Sequence, residues 1–132
     1  MEHINFGTDG WRGIIGKNFT FSNVAIVAQA IADYVKSTKN LHHRAIIGYD
    51  NRFLSEKFAQ TVAEVFAGNK IEVFLSKEPI PTPAVSLAVL KEKAGCGIMI
   101  TASHNPSEFN GVKIKASYGG SALPYMCNLR SV

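Results

Sequence analysis

The sequence predicts an α/β domain of three layers: helices on both faces of a mostly parallel mixed sheet of about four strands, the last strand antiparallel. Three observations predict it. Apolar runs at 44–49, 71–75 and 96–100 alternate with stretches of helical periodicity, the pattern of strands joined by crossover helices. The last run is followed, after a short loop, by alternating Val112-Lys113-Ile114-Lys115, and a short loop joins antiparallel neighbours. Finally, 132 residues with 46% apolar and 18% charged side chains suffice for one core and not for two. No internal repeat or low-complexity segment breaks the pattern.

The chain opens on residues 4–16, dense in turn formers, with four glycines at 7, 10, 13 and 16. They imply φ > 0 positions or a backbone that approaches something closely. The plain reading is an N-terminal arm anchored to the core by Trp11; the functional one makes Arg12 a fork for phosphate or carboxylate oxygens. Val24, Val27, Ala28, Ile31 and Val35 then form one apolar face, so a helix is expected over 21–37, capped by Thr20 or Ser22. His42-His43 falls in a polar connection with no third ligand spaced to join it, and reads as solvated.

Arg44–Tyr49 reads as a strand and Asp50-Asn51-Arg52 as the turn after it. A second helix is expected over 53–68, with Phe58, Val62, Val65 and Phe66 on its apolar face and Gly68 at its end. A third strand follows at 71–75. Pro81-Thr82-Pro83 breaks regular structure, and Pro83 suits the first turn of a helix reaching about Lys93 with Thr82 as its cap. Ala94-Gly95 returns the chain to a buried strand from Cys96 that stops at Thr101-Ala102-Ser103-His104-Asn105-Pro106. Pro106 drives Asn105 away from helical geometry. Asn110-Gly111 is expected to form a turn with φ > 0 before the last strand.

The strand ending at Ile100 delivers Ser103 to the end of a sheet, where open α/β folds bind ligands. Three readings compete there. Ser103 is a turn serine satisfying backbone groups; or a hydrolytic nucleophile, against which stand the missing Gly-x-Ser-x-Gly elbow and the divergent direction of His104; or a carrier of a phosphoryl group. The third needs cationic or amide donors, for which Lys113, Arg12, Arg52 and His104 are candidates, and a metal to offset the charge.

Four segments, in order, carry a resemblance to the N-terminal domain (domain I) of the α-D-phosphohexomutases, the phosphoglucomutase/phosphomannomutase superfamily. They are Phe6-Gly7-Thr8-Asp9-Gly10-Trp11-Arg12-Gly13; Gly48-Tyr49-Asp50-Asn51-Arg52; Pro81-Thr82-Pro83; and Thr101-Ala102-Ser103-His104-Asn105-Pro106, continuing to Asn110-Gly111-x-Lys113. The resemblance covers residues 4 to about 122, so domain I is expected over 1–122. Residues 123–132 read as the start of an inter-domain link or as a non-native tail.

The resemblance implies that Ser103 is phosphorylated in the active enzyme. It gives its phosphoryl group to a hexose monophosphate, forming a bound 1,6-bisphosphate that returns its other phosphate to the serine. Mg²⁺ on the phosphoserine and a hexose 1,6-bisphosphate activator are implied with it, the remaining metal ligands coming from a second domain. Lys113 matches the lysine thought to aid proton transfer and Arg12 an active-site arginine. His104 and Asn105 match loop residues beside the phosphoserine. Thr101, Asn105, Asp50 and Arg52 are expected to support the loop, Asp50 by holding Arg52 or a loop amide. Domains carrying the metal, sugar and distal-phosphate loops complete family members, so this chain alone is expected to fold without turning over substrate. Gly10-Trp11-Arg12-Gly13 favours a phosphoglucomutase or phosphomannomutase over a phosphoglucosamine mutase. The other reading is a stand-alone sugar-phosphate-binding or phosphoacceptor domain without catalysis.

Bulk properties agree with a small anionic ligand. The net charge is +4, but the 14 Lys and Arg residues are scattered, without the basic stripe of a nucleic-acid reader. No apolar run approaches a membrane span and no signal peptide is evident, so a cytoplasmic protein is expected. Cys96 and Cys127 follow no disulfide or metal spacing and read as reduced thiols. Apolar surface left by absent domains makes a homodimer of this chain an expectation too.

Overall fold

A computed structural model of the chain describes residues 4 and 10–121. The expectations placed on residues 6–9, on Cys127 and on the link or tail at 123–132 lie outside these. The elements are β1 (Trp11–Ile14), α1 (Phe21–Ser37), β2 (Arg44–Tyr49), α2 (Ser55–Gly68), β3 (Glu72–Leu75), α3 (Thr82–Lys91), β4 (Cys96–Ile100) and β5 (Phe109–Ala116). They form one open sheet of order β1-β5-β4-β2-β3. β2 runs parallel to both β3 and β4, while β5 is antiparallel to β4 and β1 to β5.

The sheet therefore has five strands where about four were expected. The additional one is β1, formed by the glycine-rich arm on the open edge of β5. Gly10 and Gly16, at φ 86° and 84°, bracket it and turn the chain in and out of the edge. Between them Trp11 and Gly13 are buried while Arg12 and Ile14 are half-buried, the alternation of a strand with one covered face. Trp11 stacks on Phe19 with ring centroids 4.7 Å apart, so it also anchors the arm as the plain reading held.

α1 has the expected bounds. Thr20 caps it, its Oγ1 accepting from the Asn23 amide at 3.1 Å. α2 starts at Ser55 rather than at Phe53, because Leu54 sits in the left-handed region at φ 64° and reverses the chain first. Thr82 does not cap α3. Pro81 holds the extended N-cap position without a side-chain cap bond, so Thr82 is already helical and Pro83 lies in the first turn. At the other end Lys93, at φ 53°, closes the helix before its expected limit.

The two faces of the sheet carry separate cores. α1 and α2 cover one face with Val24, Val27, Ile31, Val35, Phe58, Val62 and Phe66 against Ile47, Ile98, Ile100 and Val112. α3 covers the other, packing Val85 and Val89 on Ile46 and Met99. It sits close there: a Cβ on Gly48 would lie 2.6 Å from Val85 Cγ2, and one on Gly97 2.6 Å from Val89 Cγ2. No helix among the described residues is long and apolar enough to cross a membrane.

Asn110-Gly111 is not the expected turn. Both residues lie inside β5, opposite Gly13 and Arg12 of β1. The glycine serves close approach instead of positive φ, since a Cβ there would come within 2.7 Å of the Trp11 carbonyl and 2.8 Å of the Thr101 carbonyl. Asn110 is fully buried, and its side chain is taken up elsewhere.

Candidate active site

β2 and β4 are neighbouring parallel strands, and their carboxyl ends release two loops side by side. From β2 comes Asp50-Asn51-Arg52; from β4 come Thr101 to Pro106. The Asp50 amide donates to the Ile100 carbonyl at 3.1 Å, extending the ladder one step past the strands and fixing the loops to each other. Between them lies an open cleft of about 610 Å³, lined by Asp50, Asn51, Arg52, Phe53, Ser103, Asn105 and Ser107. It sits where parallel sheets place their ligands.

Ser103 has φ 54°, a left-handed conformation that a non-glycine residue holds only when its surroundings impose it. Those surroundings are visible. Its amide donates to Thr101 Oγ1 at 3.0 Å, and the Asn105 amide closes the turn on the Ala102 carbonyl at 3.0 Å. The Thr101 amide donates to the Gly111 carbonyl at 2.9 Å, pinning the loop's start to β5. Arg52 does the rest. Its Nη2 donates to the carbonyls of Ser103 (2.8 Å) and Asn105 (2.5 Å), and its Nη1 to those of Pro106 (2.8 Å) and Phe109 (3.1 Å). One guanidinium gathers four carbonyls, three from the loop after β4 and one from the first residue of β5, a use of its planar fork that an ammonium could not copy.

Asp50 in turn holds Arg52. Its Oδ1 accepts from the Arg52 amide at 2.9 Å and from the Ser55 hydroxyl at 2.7 Å, while Oδ2 faces Arg52 Nε at 3.6 Å. Asp50 thus holds Arg52 twice, through its side chain and through its backbone amide, which is a loop amide. With its Nη groups committed to carbonyls, Arg52 supports the loop and is not placed to grip a ligand phosphate.

Arg12 reaches the loop from β1, its Nη1 donating to Asn105 Oδ1 at 2.5 Å. Its Nε is buried and has no partner among the described residues. Lys113 lies half-buried on β5 opposite Met99, two residues beyond the Gly111 that pairs with Arg12. Strand alternation therefore puts Arg12 and Lys113 on the same sheet face, the one α3 covers. His104 is exposed at the tip of the loop. Of the expected residues, the structure brings Ser103, Asn105, Asp50 and Arg52 to one cleft, joins Arg12 to it through Asn105 and buries Thr101 beneath it. His104 and Lys113 are not among the residues lining it.

Two residues that local reading passed over belong to the same constellation. Ser55 and Asn110 are both fully buried, and Asn110 Nδ2 donates to Ser55 Oγ at 2.9 Å. A signal for Asn110 existed, since the matched motif runs on through it, but the Asn-Gly pair pointed to a turn. Ser55 had none beyond its place three residues after Arg52.

His42 and His43 are both exposed, as solvated histidines would be. No group of three or more His, Cys, Asp or Glu among the described residues is arranged to hold a metal. Cys96 is a free, buried thiol, pushed up to about 12 by burial.

The model of the phosphoglucomutase/phosphomannomutase alpha/beta/alpha domain I matches residues 3–128. A phosphoglucomutase of Staphylococcus epidermidis is 40% identical over 122 residues, covering 88% of this chain and 22% of that protein. One from Staphylococcus saprophyticus is 40% identical over 124 residues, with 92% and 22% covered. The chain thus spans about a fifth of the length of these curated relatives. A crystal structure of a Thermus thermophilus protein assigned as a phosphomannomutase superposes with a TM-score of 0.90 at 38% identity, over 96% of this chain and 28% of that one. A family protein from Burkholderia thailandensis, 21% identical with a TM-score of 0.79, shares the fold. The chain therefore belongs to the phosphoglucomutase/phosphomannomutase family and corresponds to its alpha/beta/alpha domain I.

Proposed function

We propose that this chain is the phosphoserine-bearing domain of a hexose-phosphate mutase, with Ser103 as the group that carries phosphate between C1 and C6. One observation carries the proposal: Ser103 is held in a left-handed conformation at the rim of a cleft, on a loop whose carbonyls are drawn back by Arg52. Carbonyl oxygens turned towards a bound phosphate would repel it. Gathering them on a cation removes that repulsion and leaves positive charge nearby.

In the transfer, the bond between Ser103 Oγ and phosphorus breaks as a hydroxyl of the bound hexose monophosphate forms its own bond to that phosphorus. The hydroxyl proton passes to a base, for which Lys113 is the candidate, and a proton is returned to the Ser103 Oγ that the phosphoryl group leaves. The resulting 1,6-bisphosphate then returns its other phosphoryl group to Ser103. Little covalent work falls to the protein; positioning and charge neutralisation dominate, and Arg12 is the cation bonded to the serine loop. The described residues do not form a magnesium site by themselves. A phosphate on Ser103 is the one ligand they would contribute, so Mg²⁺ enters only as a counter-ion completed by groups outside them.

The test is intact mass and peptide mapping after incubation with glucose 1,6-bisphosphate and Mg²⁺, beside a Ser103→Ala control. One added phosphoryl group, located on Ser103 and absent from the control, is expected. A folded chain that gains none would count against an acceptor assembled within this domain. Turnover of glucose 1-phosphate by the 132-residue chain alone is expected to be absent, because sugar and distal-phosphate recognition are assigned to other parts of the family's longer members.

A further inference from the structure

We propose that Ser55 and Asn110 are positioning residues for Ser103, acting through Asp50 and Arg52. The inference rests on the reading of Ser103 as phosphoryl carrier and adds the part of the molecule that sets its pose.

The path is continuous. Asn110 Nδ2 donates to Ser55 Oγ at 2.9 Å, Ser55 Oγ donates to Asp50 Oδ1 at 2.7 Å, and Asp50 faces Arg52 through both oxygens. Arg52 then holds the Ser103, Asn105, Pro106 and Phe109 carbonyls. The path begins on β5, crosses the first residue of α2, and ends on the loop after β4. Asn110 has no freedom to let go, since its Oδ1 also accepts from the Gly111 amide at 2.8 Å.

Chemistry fixes the direction of each bond. Asn110 offers an amide N–H, so Ser55 must accept from it, and the single Ser55 proton is then directed to Asp50. A carboxylate so engaged on Oδ1 has a set orientation, which sets where Oδ2 meets the guanidinium. Buried polar chains of this kind are costly when one member is removed and rigid when complete. Ser103, held at φ 54°, is the position with most to lose from slack.

The experiment uses the 132-residue chain with Ser55→Ala, Asn110→Ala and the double variant, at a temperature where circular dichroism shows each fully folded. Two readouts are taken: the rate of phosphoryl uptake from glucose 1,6-bisphosphate, and amide hydrogen exchange in the Ser103 turn and in α3. Each single variant is expected to slow uptake at least fivefold. The double variant is expected to be no more than about twofold slower than the worse single one, because both break one chain. Exchange at the Ser103 and Asn105 amides should rise at least tenfold while α3 is unchanged. Uptake within twofold of the parent in both single variants overturns the proposal, as do multiplicative losses in the double variant or unchanged exchange in the loop. Should the parent itself take up no phosphoryl group, the reading of Ser103 fails, and loop exchange alone decides the positioning role.

Discussion

The guanidinium of Arg52 lies 2.8 Å from the carbonyl of Ser103, 51 residues away in sequence, and donates to it. That bond joins the loop after β2 to the loop after β4 and explains why a serine can persist with positive φ at the edge of a cleft. The carbonyls of Asn105, Pro106 and Phe109 converge on the same side chain. The loop is thus ordered by a cation that lines the same cleft as Ser103.

Replacing that fork with a point charge should show its worth. Arg52→Lys is expected to lose about 1–3 kcal/mol of stability, since a lysine cannot reach four carbonyls and leaves some of them unpaired. Urea unfolding measures it, and phosphoryl uptake at Ser103 should fall in the same variant under folding conditions. An unchanged urea midpoint would remove Arg52 as the loop's organiser.

The conformation of Ser103 yields a second expectation. At φ 54° a glycine is unstrained and an alanine is not, so Ser103→Gly should exceed Ser103→Ala in stability by roughly 1 kcal/mol. Thermal unfolding of the two variants decides it, with neither able to accept phosphate.

Arg12 reaches the serine loop through one side-chain bond, to Asn105 Oδ1. If it supplies a donor to the charge that develops at Ser103, as proposed, Arg12→Ala should slow phosphoryl uptake by about 100-fold. Its stability cost should stay within about 1 kcal/mol, because a single side-chain bond to Asn105 is lost. Uptake kinetics and urea unfolding on one preparation separate the two effects.

Packing of α3 depends on glycines in the sheet. Gly97→Ala would put a Cβ 2.6 Å from Val89 Cγ2 and 2.9 Å from Val85 Cγ1. Overpacking of that size should cost about 1–3 kcal/mol, read as a lower thermal midpoint.

Cys96 gives a pH dependence. Burial raises its thiol from 9.0 to about 12, so below pH 9 both folded and unfolded chains keep the proton and the group has no effect. Above pH 9 only the unfolded chain releases it, and the stability is lost progressively as pH climbs towards 12. Cys96→Ala should flatten the fall in urea midpoint between pH 9 and 10.5. At pH 8 the native thiol should resist disulfide-exchange reagents and react once urea unfolds the chain.

The amino-acid sequence by itself determined the alternation of strands and helices, the bounds of α1 and β2, the apolar faces of α1 and α2, and the motif that carries Ser103. Each of these is written in short-range periodicity or in a contiguous string, and hydrophobic burial reads such patterns directly. Tertiary structure decided the remainder. β1 exists because β5 offers an edge to a short arm, which no property of Trp-Arg-Gly-Ile announces. Asn110-Gly111 becomes strand because Ser55 takes the asparagine and two carbonyls crowd the glycine. Ser103 adopts positive φ against its own preference, because the bonds that hold its loop outweigh a local cost of about 1 kcal/mol or more. The two loops and β5 are tied together by bonds between residues more than 50 positions apart, and only the packed sheet brings those ends together.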